Sequence, residues 1–154
     1  PDYSQIVAIY NQSVASSVVT FDVEPVTVEQ RAEWFAQFNA VHPLLVAEVD
    51  DCIAGYAYYL PFRPKAAYSE TKEITVYVDA AMHRRGVGGA LYERLIARAR
   101  SNQVHALIGV LGGENIASVA LHEKFSFRLV GRLREVGRKF GRYVDTTYYE
   151  VILS

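Results

Sequence analysis

The chain contains one cysteine, one methionine and one tryptophan among 154 residues. A lone Cys52 cannot build an intrachain disulfide framework, which removes any reason to invoke an oxidising compartment. No apolar run approaches the roughly 18–20 residues a spanning helix needs, so a helical membrane protein is excluded. The first residues carry neither the basic stretch nor the apolar stretch of a secretory signal, and we expect a cytoplasmic protein. There is no dense Lys/Arg run, and the net charge is −1. Neither nucleic acid nor a membrane is therefore expected as a partner.

Apolar residues make up 51% and charged residues 21%, so a sizeable core is available and intrinsic disorder is excluded. The length fits one domain over residues 1–154, with no repeat, low-complexity tract or linker. The near-zero charge hides an asymmetry: residues 1–77 carry net −6 and residues 78–154 net +5. A basic half in a near-neutral protein suits a locally held anionic ligand.

Apolar spacing predicts a helix over Ser4–Ala15. Thr27 and Gln30 form a capping box that opens a second helix through Trp34, Phe35 and Phe38. Two strand-like runs, 43–49 and 52–60, flank Asp50-Asp51 as a β-hairpin, and 61–70 reads as a loop. A β-branched strand, 73–78, leads to the loop R-R-G-V-G-G at 84–89 and then a helix whose stripe is Leu91, Leu95, Ile96 and Ala99. A strand at 105–111, a short helix at 114–125 and two long strands at 127–138 and 143–153 complete the order. This is a mixed α/β (α+β) sheet and not a doubly wound one.

A strand that ends in a glycine-rich turn and runs into a helix presents unpaired N–H groups at a positive dipole end. Gly86, Gly88 and Gly89 would let a pyrophosphate approach the backbone closely. Two other phosphate loops fail on spacing, since no Lys follows as in a P-loop and G-x-G-x-x-G is absent. A turn that is glycine-rich only for packing is the plain alternative.

M-H-R-R-G-V-G-G-A-L after V-Y-V resembles the acetyl-CoA loop of the GNAT N-acetyltransferases, with His83 at a position usually Gln or Arg. E-N-I-A-S-V-A-L-H-E-K-F-S-F resembles the superfamily's second motif, with Ser126 where Gly is usual. A-I-Y-N, E-P-V-T and L-R-E-V-G-R-K-F-G-R-Y-V-D resemble the phosphinothricin N-acetyltransferase branch. The resemblance implies the GNAT fold, a mostly antiparallel twisted sheet flanked by helices. It implies acetyl-CoA as co-substrate, no metal, a small-molecule amine as acceptor, and a homodimer. It also implies a strand before the first helix, so an opening strand is expected to be missing from this sequence. Co-substrate contacts then fall to Val76, Tyr77, Val78, His83, Arg84, Arg85, Gly86, Val87, Gly88 and Gly89. Asn115, Ser118 and Lys124 join them from the second motif. Acceptor contacts fall to Phe62, Arg63, Tyr68, Lys139 and Phe140.

Acetyl transfer to an amine needs a base for the ammonium proton and a polarised thioester carbonyl. Glu73 heads the strand that leads to the glycine loop and matches the branch's proposed general base. A solvated strand-end Glu is the alternative. His122 stands where the superfamily often has a Tyr that protonates the departing thiolate, and an imidazole could do this. A thiol titrating near 8.5 needs little help, so a His that only lines the channel is an equal alternative. Asn115 reads as the cap of the short helix, and His42, His105 and Cys52 read as structural. Many amino-acid-acetylating relatives carry Arg after the Tyr at 68, well suited to a carboxylate. Here Ser69 and Glu70 follow, which points away from a strongly acidic acceptor. A CoA-binding sensor that does not turn over is the competing reading, carried by the departures at His83 and Ser126.

Overall fold

The computed structural model describes residues 3–153. Helix α1 (Tyr3–Ser16) buries Ile6, Val7, Ile9, Tyr10 and Val14, the stripe its spacing predicts. The Thr27–Gln30 capping box forms in both directions, with bonds of 2.9 and 3.1 Å. The helix it opens is shorter than expected: a 3₁₀ turn leads into α2 (Ala32–Phe35), which stops before Phe38. Gln37 and Phe38 instead close i→i+3 bonds to Trp34 and Phe35. That tightening lets Trp34 pack edge-on to Phe35, Phe38 and Tyr58.

Strands β1 (Leu44–Val49) and β2 (Cys52–Pro61) form the expected hairpin. Asp50 and Asp51 both take positive φ, the geometry of a two-residue turn that matches strand twist. They are followed by β3 (Thr71–Val78), α3 (Val87–Ser101), β4 (Ala106–Gly112), α4 (Ile116–Lys124), β5 (Arg128–Lys139) and β6 (Arg142–Ile152). The six strands lie in the order β1-β2-β3-β4-β6-β5. Only β3 and β4 pair in parallel, joined by the crossover through α3. Helix α3 seals one hydrophobic cluster around Leu91, Tyr92, Leu95 and Leu107. Helices α1 and α2 seal a second around Ile6, Tyr10, Phe35 and Tyr56. The sheet is thus covered by two separate helical layers, and the site lies where its central strands come apart.

Ser126 takes φ +68 just after α4, while Ser126 and Phe127 bond back to Glu123 and His122. This is a left-handed helix stop that favours glycine, held here by a serine.

Candidate active site

Parallel pairing of β3 with β4 runs from Thr71–Ala106 to Ile74–Gly109 and ends there. Beyond it β3 continues to Val78 on its other partner, β2, so one edge of Thr75–Val78 is left open. Between the parted strands lies an inner chamber of about 270 Å³ that includes Tyr58, Glu73, Thr75, Tyr77 and His122 in its lining. An outer groove of about 740 Å³ runs over the glycine loop. Val19, Val76, Tyr77, Asn115 and Ser118 line both, so the two form one continuous cleft.

At the outer end, Arg84 and Gly86 take left-handed backbone, and Gly86 is the N-cap of α3. The first helical bond is Ala90 N–H to the Gly86 carbonyl at 3.0 Å. The N–H groups of Val87, Gly88 and Gly89 therefore have no acceptor within the helix. A Cβ at Gly88 would already touch Leu121 and Val78 at 3.7 Å, and one at Gly89 would sit 3.4 Å from Lys124 Nζ. The loop is a bare backbone cradle at the positive end of a fifteen-residue helix, which suits a pyrophosphate. His83 donates from Nε2 to the Val78 carbonyl at 3.1 Å, tying the loop to the end of β3. Asn115 Oδ1 accepts from Ser118 N–H at 3.0 Å and caps α4.

At the inner end, Glu73 is half-buried, and burial pushes its carboxyl above the usual range while the Arg63 charge pulls it back. Desolvation pushes Tyr58 up to about 12, against a hydrogen bond with Thr75, so it remains a neutral phenol. His122 is 3% exposed. Its Nδ1 lies 2.7 Å from the Ser118 carbonyl, which can only accept, so Nδ1 carries the proton. Nε2 then accepts from the Tyr92 hydroxyl at 3.2 Å. Burial pushes the imidazole down, against the Ser118 bond, and so favours the neutral ring. A Cβ at Gly109 would overlap the His122 ring, so the glycine makes room for it.

The cleft brings together most of the residues expected from sequence. Val76–Val78, His83, Arg84, Gly86–Gly89, Asn115 and Ser118 line the groove, and Glu73 and His122 line the chamber. Arg85 turns aside to Met82 Sδ, and Lys124 stands at the rim beside Gly89. Phe62, Arg63 and Tyr68 pack on one another in the β2–β3 loop and do not line the cleft. Lys139 and Phe140 do not line it either. Lys139 is 3% exposed and bonded to backbone carbonyls, and Phe140 points outward, 57% exposed. Among the lining groups that sequence reasoning did not single out are Tyr58 and Tyr92, and the irregular strap 17–22, which supplies Val19, Thr20 and Phe21 and has no motif.

Residues 1–148 match the acetyltransferase (GNAT) domain family. The chain belongs to the GNAT acetyltransferases. Within them it is 39% identical to a phosphinothricin N-acetyltransferase of Streptomyces coelicolor, over 97% of this chain and 90% of that protein. It is 34% identical to an L-methionine sulfoximine/L-methionine sulfone acetyltransferase of Pseudomonas aeruginosa, over 99% and 90%. Its fold superposes on a GNAT phosphinothricin acetyltransferase from Sinorhizobium meliloti solved with acetyl-CoA. That match has a TM-score of 0.95 at 31% identity and covers 99% of this chain and 84% of the other. No helix among the described residues is long and apolar enough to cross a membrane.

Proposed function

We propose that the protein transfers the acetyl group of acetyl-CoA to the primary amine of a small amino compound by direct attack, with Glu73 as the base. One observation supports this reading: a partly desolvated carboxylate and a glycine loop at a helix N-terminus line two adjoining cavities that share Val19, Val76, Tyr77, Asn115 and Ser118. The groove would hold the pyrophosphate on the N–H groups of Val87, Gly88 and Gly89. The open edge of Thr75–Val78 would bond the pantetheine amides and meet negative charge developing on the thioester oxygen. Glu73 takes the ammonium proton, directly or through a water, and frees the amine lone pair. As the new C–N bond forms, the C–S bond breaks and CoA leaves as a thiolate; the acylated nitrogen sheds one of its remaining protons, and the thiolate takes it up.

A neutral His122 with its only proton engaged by Ser118 has none to give at Nε2. Its proposed role is to shape the chamber with Tyr92, because a thiol titrating near 8.5 leaves without a dedicated acid. Among the described residues no Lys or Arg lines the inner chamber. We therefore assign an acceptor less acidic than phosphinothricin. The edge strand β5 exposes Leu129, Leu133 and Val136, with Phe140 and Tyr143 exposed at the hairpin tip. An uncovered apolar edge of this kind supports a homodimer. Dependence on acetyl-CoA supports action in the cytoplasm.

The test is thiol release from acetyl-CoA over a panel of amino acids, their sulfone and phosphinic analogues, alkyl amines and peptide N-termini. Turnover with at least one amine is expected. Absence of both turnover and calorimetric acetyl-CoA binding would overturn the reading.

A further inference from the structure

Strand β5 lies at the sheet edge, and ten of its twelve residues are exposed or only partly covered. Gly137 and Lys139 are its two buried residues. A register shift between Leu133 and Gly137, with Glu135 at φ +56 and its N–H bonded to Asp145 Oδ1, marks a bulge just before them. Bulges re-aim the side chains that follow. From here both residues reach the strap 17–22 that walls the cleft.

The strap is seated from three sides. Val18 fills a notch at Gly112 and Gly113 that any Cβ would close. From α1, Tyr10 donates its hydroxyl proton to the Asp22 carboxylate and lies 2.9 Å from Thr20 Oγ1. From β5, Lys139 Nζ donates to the Thr20 carbonyl at 2.9 Å and to the Ser13 carbonyl at the end of α1 at 3.4 Å. The Phe21 ring lies against Gly137, where a Cβ would meet it at 2.5 Å. Lys139 takes part in no ion pair among the described residues. Its hydrogen bonds go only to carbonyls, with the Phe140 ring 5.1 Å away and the Asp22 charge as partial compensation, and burying such an ammonium is costly compared with an apolar side chain of similar length. What its two bonds hold in place is the segment that carries Thr20 and Phe21 into the chamber.

We propose that Lys139 is a positioning residue for the acceptor: through the Thr20 carbonyl, and with Gly137 as a seat for Phe21, it sets the acceptor-side wall of the cleft. It does so without touching the substrate. The inference rests on the acetyl-transfer reading above and adds to it a division of labour. The glycine loop governs acetyl-CoA, while a β5 residue outside the cleft governs the acceptor through the strap.

The experiment compares wild type, Lys139→Met and Gly137→Ala by KM for each substrate, using the best amine of the panel. Hydrogen exchange of residues 17–22, read by mass spectrometry, gives a measurement that needs no acceptor. Lys139→Met should raise the acceptor KM by about tenfold, the scale of one lost charge-assisted hydrogen bond. Ser17–Val19 of the strap also line the groove, so KM for acetyl-CoA should rise too, but by clearly less than the acceptor KM, because the shorter Lys139 bond is to Thr20 in the chamber; the strap should lose protection while α3 and β4 keep theirs. Gly137→Ala meets one edge of the Phe21 ring (Cδ2, Cε2 and Cζ) and no backbone atom; the ring is 40% exposed and can swing as a whole, so the variant should fold. It should raise the acceptor KM by pushing that ring into the chamber. If Lys139→Met does not fold, Gly137→Ala decides. Equal KM shifts for both substrates, or unchanged strap protection in a folded Lys139→Met protein, would overturn the inference. A wild type without turnover defeats the acetyl-transfer reading instead, and the exchange measurement still judges the strap.

Discussion

Replacing Glu73 by Gln keeps the shape of the chamber and removes only the proton acceptor. A positioned base contributes about 10²–10⁴-fold, or roughly 2.7–5.4 kcal/mol of barrier. The structure predicts how that loss depends on pH. An amine titrating near 10.4, like a lysine side chain, is neutral in about one molecule in 2,500 at pH 7, and an α-amino group titrating near 8 in about one in ten. Wild-type protein can draw on the abundant ammonium, because Glu73 accepts its proton inside the cleft. The variant must wait for the rare neutral amine. Its kcat/KM should therefore climb about tenfold per pH unit up to the acceptor's own pKa, while the wild type stays nearly flat. At the acid end the wild type acquires a limb of its own. Burial raises the Glu73 pKa, so the wild-type rate should begin to fall at a higher pH than an ordinary carboxylate would dictate, and the variant should lack that limb. The assay is thiol release at subsaturating amine from pH 5 to 10. Parallel wild-type and variant profiles, displaced by a constant factor, would refute Glu73 as the base.

Gly88→Val should fold, since a Cβ there has ordinary clearance, and lose about 1.5–3 kcal/mol of pyrophosphate binding. An acetyl-CoA KM raised roughly ten- to a hundredfold is expected, and an unchanged value would remove the loop from the co-substrate site. Efficient wild-type turnover of phosphinothricin, above about 10⁴ M⁻¹s⁻¹, would contradict the assignment of a less acidic acceptor. Ser126→Gly relieves a left-handed serine and should add about 1 kcal/mol, a Tm gain of about 2–4 °C by calorimetry. Light scattering at micromolar concentration should give twice the chain mass; a monomer would show that the β5 edge is not a self-interface.

What the sequence determined by itself was local. Hydrophobic period, capping chemistry and glycine placement produced the element order from α1 to β6, the Asp50-Asp51 turn, the Asn115 cap and the cradle at Gly86–Gly89. Each depends on residues a few positions apart. Glu73 and His122, singled out from the sequence, both line the chamber, because each rides on a regular element whose exposed and buried positions follow from its period. The tertiary structure decided everything that depends on distant segments meeting. The parting of β3 and β4 makes a cleft from residues some thirty positions apart, and it makes Tyr58 and Tyr92, on which no sequence signal falls, chamber walls. The Ser118 carbonyl and the Tyr92 hydroxyl choose the His122 tautomer, which spacing cannot reveal. The strap 17–22 has no periodic signal, since its conformation is imposed by glycines and a lysine more than ninety positions away. Lys139 shows the limit most plainly: a motif marked it as important, but only packing revealed that it grips the wall of the site from behind.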